Sequence, residues 1–210
     1  MRDYSLYVLT DEHLSRRKSH VELARLAAEG GADVIQLRDK HLESRQLYET
    51  ALEISKICRQ HDVLFIVNDR VDIALAAKAD GVHVGQGDIP AAVLRKFVPP
   101  DFIIGVSAGT AEEALRAEKD GADYVALSPV FDTSSKDDAG RGRGIEELKK
   151  MKQAVSIPVL AIGGINKDNI KEVIAAGADG AAVISAVVSQ EDVTAAAASL
   201  KRLITEARGI

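Results

Sequence analysis

Gln36, Arg38 and Lys40 stand at alternate positions of the segment QLRDK, so an extended backbone turns all three to one side. An amide and two cations facing the same way suit an anionic ligand; without one they pair with acidic neighbours such as Asp69. Asp69 and Asp88 each follow a short apolar run. Two such carboxylates can share one Mg²⁺, which takes one or two carboxylates and completes its shell with water and phosphate oxygens. Thr133, Ser134, Ser135 and Lys136 offer three hydroxyls and an ammonium within the run Ser128 to Gly144, SPVFDTSSKDDAGRGRG. That run is too polar to pack as a core element, and a loop this long in a compact domain is usually a lid or a binding loop. In Ile162-Gly163-Gly164-Ile165-Asn166, glycines precede a helix start, where backbone N–H groups can approach a phosphate closely or the turn can simply pack tightly.

The elements that carry these residues alternate regularly. Apolar runs at Ser5 to Leu9, Val34 to Leu37, Val63 to Val67, Gly81 to Val84, Phe102 to Val106, Tyr124 to Leu127, Pro158 to Ile162 and Ala181 to Ser185 read as strands. Between them the apolar residues recur at helical spacing, as at Lys18 to Glu29, Leu47 to about Gln60, Val71 to Ala79, Ala111 to Lys119 and Ile145 to Ala154, with Pro90 and Asn166 marking helix starts and Glu191 to Ala207 closing the chain. The phrases EGGADVIQL, KADGVHV, KDGADYVAL and AAGADGAAVI repeat one helix-end, glycine, aspartate, strand junction. Eight β-α units of about 25 residues predict an α/β fold, a single-domain (βα)8 TIM barrel over residues 1–210 with a lid at 128–144, in preference to an open doubly wound sheet.

In such a barrel the chemistry lies at the C-terminal ends of the strands. This gathers Gln36, Arg38 and Lys40, Asn68 and Asp69, Asp88, Ser107, the lid, Gly163-Gly164 and Ser185 at one mouth. The loops after strands seven and eight are the usual phosphate site, so Gly164 with Ile184 and Ser185 forms a second anion site, and two anion sites across one mouth predict two phosphorylated substrates.

Composition narrows the rest. A formal charge of −5 argues against attraction to nucleic acid or an anionic membrane, so any anionic substrate is held by local cations. Cys58 is the one cysteine and lies on the apolar face Leu47, Ala51, Ile54, Cys58, which predicts a buried structural thiol. The five histidines show no metal-binding spacing, and His83, within a strand, reads as a core or rim residue rather than a base. There is no Gly-x-Ser-x-Gly turn, P-loop or Gly-x-Gly-x-x-Gly after the first strand, so acyl transfer, nucleotide hydrolysis and Rossmann-type hydride transfer lack support. The first residues, MRDYSLYVLTDEH, lack a basic segment followed by an apolar core, which predicts a cytoplasmic protein.

The stretches QLRDK, VNDRVDIAL, GVHVGQGD, IGVSAGT, ADYVALSPVFDTSSKDD, IPVLAIGGI and ADGAAVISA occur in the order of a known family: the chain resembles the thiamine phosphate synthases, also called thiamine-phosphate pyrophosphorylases. The resemblance implies a transferase that joins 4-amino-5-hydroxymethyl-2-methylpyrimidine diphosphate to a thiazole phosphate, giving thiamine phosphate and diphosphate. It implies that Gln36, Arg38, Lys40, Asn68, Ser107, Thr133, Ser135 and Lys136 hold the pyrimidine diphosphate, with Arg38, Lys40, Ser107 and Lys136 acting in catalysis. It further implies that Thr133, Ser135, Gly164, Ile184 and Ser185 meet the thiazole phosphate, and that Asp69 and Asp88 hold Mg²⁺. The partners it implies are these small molecules, with no nucleic acid and no membrane; a homo-oligomer is left open. The lid departs from the family in Phe-Asp-Thr, where an aromatic, Pro and Thr are common, and in Ser135, where Thr is commoner, though the hydroxyl is kept. Arg141 and Arg143 either meet the diphosphate or face water, the latter being expected. Two other readings are a thiazole phosphate tautomerase, whose histidine near the position of Gly109 this sequence lacks, and a silent regulator, which the two aspartates and Lys136 weigh against.

Overall fold

The computed structural model describes residues 3–133, 135 and 140–209. Eight parallel strands close into a barrel in sequence order: β1 (Leu6–Thr10), β2 (Val34–Leu37), β3 (Leu64–Asn68), β4 (Gly81–Val84), β5 (Ile103–Ala108), β6 (Tyr124–Leu127), β7 (Val159–Ile162) and β8 (Gly180–Val183), with β8 pairing back onto β1. The helices α1 (His20–Glu29), α2 (Ser44–His61), α3 (Val71–Ala76), α4 (Ala91–Leu94), α5 (Ala111–Lys119), α6 (Ile145–Ala154), α7 (Ile170–Ala175), α8 (Ser185–Val188) and α9 (Val193–Arg208) alternate with them. Helices cover one face of the strands and the barrel interior the other, so β1, β2, β4, β6, β7 and β8 are buried at every residue and are apolar except at Thr10, Gln36 and His83. The predicted TIM barrel is the observed architecture.

The repeated Gly-Asp junctions have a common structural meaning. Asp33, Asp80, Asp123 and Asp179 lie just before β2, β4, β6 and β8, and each clamps the strand before its own. Their backbone N–H groups donate to Leu6, Phe65, Ile104 and Val159 carbonyls at 2.8–2.9 Å. Their carboxylates accept the N–H of those same four residues, each at 2.7 Å. The barrel therefore carries a fourfold set of two-point clamps at its stability face, and three of the carboxylates also meet a cation: Lys201 on Asp33, Arg95 on Asp123 and Lys152 on Asp179. Replacing Asp123 by Ala strands the buried Ile104 N–H and costs about 1–3 kcal/mol. At about 2–4 °C per kcal/mol for a chain of this size, a melting curve reads a fall of several degrees, with the site at the opposite end intact.

Some local boundaries differ from the sequence reading. β8 stops at Val183, because Ile184 leaves the extended region (φ −118°, ψ −88°) and Ser185 instead begins α8. Asn166 does not cap the seventh helix; it turns the chain one step earlier, its side chain accepting from Asp168 N–H at 2.8 Å, and Asn169 occupies the cap position of α7. α3 ends at Ala76 rather than Ala79, closed by Lys78 in the left-handed region (φ 54°). Cys58 is buried, and burial pushes its thiol up to about 12, which leaves it inert as a nucleophile.

Candidate active site

The loops at the C-terminal strand ends enclose two neighbouring cavities. The first, about 570 Å³, is strongly polar and is lined by Arg38, Lys40, Asn68, Asp69, His83, Asp88, Ser107, Gly109, Glu113 and Arg143, among others. β2 ends at Leu37, and the loop that carries Arg38 and Lys40 is held by Asp39. The Asp39 carboxylate accepts the N–H groups of His41 and Leu42, both at 2.7 Å, and meets His20 Nε2 at 3.0 Å, while His20 Nδ1 reaches Thr10 Oγ1 at 2.7 Å. Burial alone raises the Asp39 carboxyl, but these hydrogen bonds from His20, His41 and Leu42 outweigh it and hold the group below the ordinary range. Arg38 is oriented from the other side by Asp11, 3.7 Å away.

Asp69 takes the left-handed region (φ 59°), which Asp tolerates better than most residues, and this turn follows directly from the end of β3. Its side chain is in hydrogen-bonding contact with that of Asp88. Burial first, and the Asp88 charge second, push the Asp69 carboxyl up to about 6, against the pull of Lys40 and Arg38. Asp88 is fixed in turn by accepting the Gly85 N–H at 2.7 Å. A pair of crowded carboxylates beside water and two cations fits a hard divalent cation with one or two protein oxygens. Among the described residues there is no group of three or more His, Cys, Asp or Glu that could hold a metal.

Below this cavity a chain of buried polar side chains crosses the barrel. Gln36 Nε2 donates to Tyr7 Oη at 2.7 Å, Tyr7 Oη lies 2.9 Å from Tyr124 Oη, Tyr124 Oη 3.0 Å from His83 Nδ1, and His83 Nε2 2.9 Å from Ser107 Oγ. Burial pushes both phenols well above their ordinary range, so they stay protonated and act as donors. If Tyr7 donates to Tyr124 and Tyr124 to His83 Nδ1, then His83 Nε2 carries the proton and donates to Ser107 Oγ, freeing the Ser107 hydroxyl hydrogen for a ligand. Gln36 Oε1 is buried with no partner among the described residues. A buried acceptor left open at the floor of a site points to a ligand donor.

The second cavity, about 340 Å³ and more apolar, is lined by Thr133, Ser135, Gly163, Gly164, Asn166, Ile184, Ser185 and Gln190, with Ser128 facing both cavities. Gly163 and Gly164 have positive φ (104° and 65°), and a side chain at either would strike the lid's first residues: a Cβ at Gly163 falls 2.4 Å from Pro129 Cβ and one at Gly164 2.7 Å from Phe131 Cβ. The glycines thus serve close approach of the lid as well as an open cradle. Val130 N–H donates to Ile162 O at 2.8 Å and Phe131 N–H to Gly163 O at 3.1 Å, while Arg143 and Gly144 N–H groups return to Pro129 and Val130 carbonyls, each at 2.9 Å. The described ends of the 128–144 segment are therefore pinned to the barrel and to each other, and Ser135 Oγ lies 3.1 Å from Ser185 Oγ.

Of the residues singled out in the sequence, Arg38, Lys40, Asn68, Asp69, Asp88 and Ser107 meet in the first cavity, and Thr133, Ser135, Gly164, Ile184 and Ser185 in the second. Thr133 and Ser135, expected at both anions, line only the second cavity. Gln36 lies beneath, not in the wall of either large cavity, beside a gap of about 10 Å³. Lys136 lies outside the described residues. Arg141 and Arg143 are both exposed, as expected, and of the two only Arg143 also lines the first cavity. His83, read as a core or rim residue, is buried, and its ring meets Tyr124 and Ser107. Tyr7 and Tyr124 escaped notice because an aromatic inside a strand is ordinarily core; the one available signal was a phenol in an otherwise aliphatic interior.

Fold and site define a (βα)8-barrel enzyme with a cationic, carboxylate-bearing cavity beside a glycine-lined, more apolar one. The thiamine monophosphate synthase family matches residues 6–187. The chain is 60% identical over 205 residues to the thiamine-phosphate synthase of Methanocella arvoryzae, covering 98% of this chain and 97% of that one, and 58% identical to that of Methanoculleus marisnigri over the same shares. Among solved structures, thiamine phosphate pyrophosphorylase from Pyrococcus furiosus superposes with a TM-score of 0.91 at 48% identity, covering 98% of both chains. The chain belongs to the thiamine monophosphate synthase family and is a transferase of thiamine biosynthesis.

Proposed function

We propose that this protein condenses 4-amino-5-hydroxymethyl-2-methylpyrimidine diphosphate with thiazole phosphate to give thiamine phosphate and diphosphate, in a Mg²⁺-dependent reaction that passes through a pyrimidine cation. The observation that carries the reading is the pair of adjoining cavities of unlike character that share Ser128, one with cations and paired carboxylates, the other with Gly164 and Ser185. A diphosphate suits the first and a monophosphate the second.

The pyrimidine ring lies over the barrel floor, where Gln36 Oε1 is the open acceptor for its exocyclic amino group and Asn68 stands at the end of β3. The methylene C–O bond breaks with its electron pair leaving on diphosphate, and the ring's amino group spreads the positive charge left on carbon. Arg38, Lys40 and the Ser107 hydroxyl stabilise the charge that gathers on the leaving oxygens, and the family resemblance adds Lys136 to them. Asp69 and Asp88 would hold Mg²⁺, which when bound neutralises diphosphate oxygens. The thiazole nitrogen then donates its lone pair to the methylene carbon, and no proton has to be removed. The site agrees with this: Tyr7 and Tyr124 stay protonated, and both His83 ring nitrogens are engaged by Tyr124 and Ser107. Gly164, Ile184 and Ser185 cradle the thiazole phosphate, and Thr133 and Ser135 close over it from the lid.

The test is to mix both substrates with protein, with and without Mg²⁺, and assay thiamine phosphate. Metal-dependent product is expected; binding without turnover, or change of the thiazole phosphate alone, would overturn the reading. Lys136→Ala is expected to lower turnover at least about tenfold. A near-normal rate in that variant removes the lysine from the mechanism.

A further inference from the structure

Arg143, near the end of the 128–144 segment, is an exposed cation that lines the first cavity. Arg143 is fixed through its backbone, its N–H donating to Pro129 O at 2.9 Å, and the chain before it presses against the lid's entry, where a Cβ at Gly142 would fall 2.9 Å from the Phe131 and Asp132 backbone. From this anchor the guanidinium reaches over Gly109, whose missing side chain makes the seat: a Cβ there would lie 3.1 Å from Arg143 Nη2 and 3.3 Å from Cζ. Gly109 is not in the left-handed region, so its backbone does not call for glycine; a side chain there would meet the Arg143 head and oblige it to shift by a few tenths of an ångström.

Glu113, which lines the same cavity, does not take this cation. Glu113 accepts the Gly109 N–H at 2.6 Å, and no ion pair or side-chain hydrogen bond joins Arg143 to any described residue. Its head instead lines the cavity that Arg38 and Lys40 line. A guanidinium offers a planar fork that matches two phosphate oxygens at once, which a point-charge ammonium does not.

We propose that Arg143 is a diphosphate-binding residue, seated over Gly109 as a further cation of the cavity lined by Arg38 and Lys40. The inference rests on the assignment of diphosphate to that cavity. The 128–144 segment then serves both cavities, Thr133 and Ser135 lining one and Arg143 the other.

The probe is inorganic diphosphate with Mg²⁺, titrated calorimetrically into the whole protein. Arg143→Ala is expected to weaken binding about tenfold, one phosphate contact's share, and to reduce the salt dependence of the affinity, while Arg143→Lys restores part of it. Arg141→Ala, an exposed neighbour outside both cavities, is expected to match the parent. Gly109→Ala fills the seat and is expected to weaken binding in the parent but little further in Arg143→Ala, since the two changes then remove the same contact. Arg143→Ala binding within twofold of the parent, or equal losses from Gly109→Ala in both backgrounds, overturns the proposal. A parent that binds diphosphate without forming thiamine phosphate refutes the proposed reaction but leaves Arg143 where it is assigned. A parent that binds no diphosphate overturns both.

Discussion

Asp88→Asn is expected to yield a protein that is more stable without metal and at least about a hundredfold slower with it. Two carboxylates in hydrogen-bonding contact, one of them half-buried, repel, and the folded state relieves this by keeping a proton on Asp69 up to about pH 6. A carboxyl whose folded-state pKa exceeds its unfolded value of about 3.8 binds its proton more tightly in the folded chain. Its contribution to stability is therefore full below about pH 3.8 and is lost as pH rises through about 6. At pH 7.5 the metal-free pair is a liability, and Asn, which still accepts the Gly85 N–H, removes it. The melting temperature of the parent should rise on adding Mg²⁺ at pH 7.5 and rise much less at pH 5, where the site is protonated; in Asp88→Asn the Mg²⁺ increment should vanish. A metal-free Asp88→Asn melting below the parent at pH 7.5, or turnover within tenfold of it, would show that the pair is not a metal site.

Arg38→Ala is expected to lower kcat/KM for the pyrimidine diphosphate about a hundredfold, with the KM for thiazole phosphate little changed. At an effective dielectric near 20, a cation about 4 Å from a phosphate charge is worth ~4 kcal/mol before desolvation, and a hundredfold loss asks for only ~2.7 kcal/mol of it. Arg38 is well suited to deliver that fraction because it is only 12% exposed and pre-oriented by Asp11 and by the loop that Asp39 ties down. Arg38→Lys keeps the charge, loses the fork and should fall between the two, at about a tenfold loss. An equal rise in both substrates' KM would mean that the change had loosened the mouth as a whole. Steady-state kinetics with each substrate varied in turn distinguishes these outcomes.

Several residues of the site were legible because strand ends are legible. Arg38, Asp69, Asp88 and Ser107 follow apolar runs whose period and boundaries are local properties of the chain, and barrel closure then brings every such end to one mouth. The junction repeats were visible as text, but their use was not: that Asp33, Asp80, Asp123 and Asp179 bond both the carbonyl and the N–H of one residue in the preceding strand depends on the stagger between neighbouring strands. The polarity and length of the 128–144 segment are plain in the sequence, but which cavity its hydroxyls line is not, because a loop's path is set by contacts far away in sequence, here Val130 on Ile162 and Phe131 on Gly163.

By itself, the sequence determined the eight β-α units, the closed barrel, the family and the end of the barrel at which charged residues gather, since each follows from periodicity, repetition or local motif. Tertiary structure alone decided how those residues divide: Thr133 and Ser135 to one cavity, Arg143 over Gly109 to the other, and Gln36 through Tyr7, Tyr124 and His83 to Ser107 across the barrel floor. Strands far apart in the chain contribute to each of these contacts. Their meeting depends on strand register and on which way each side chain turns inside a closed ring, and neither is a property of any one segment.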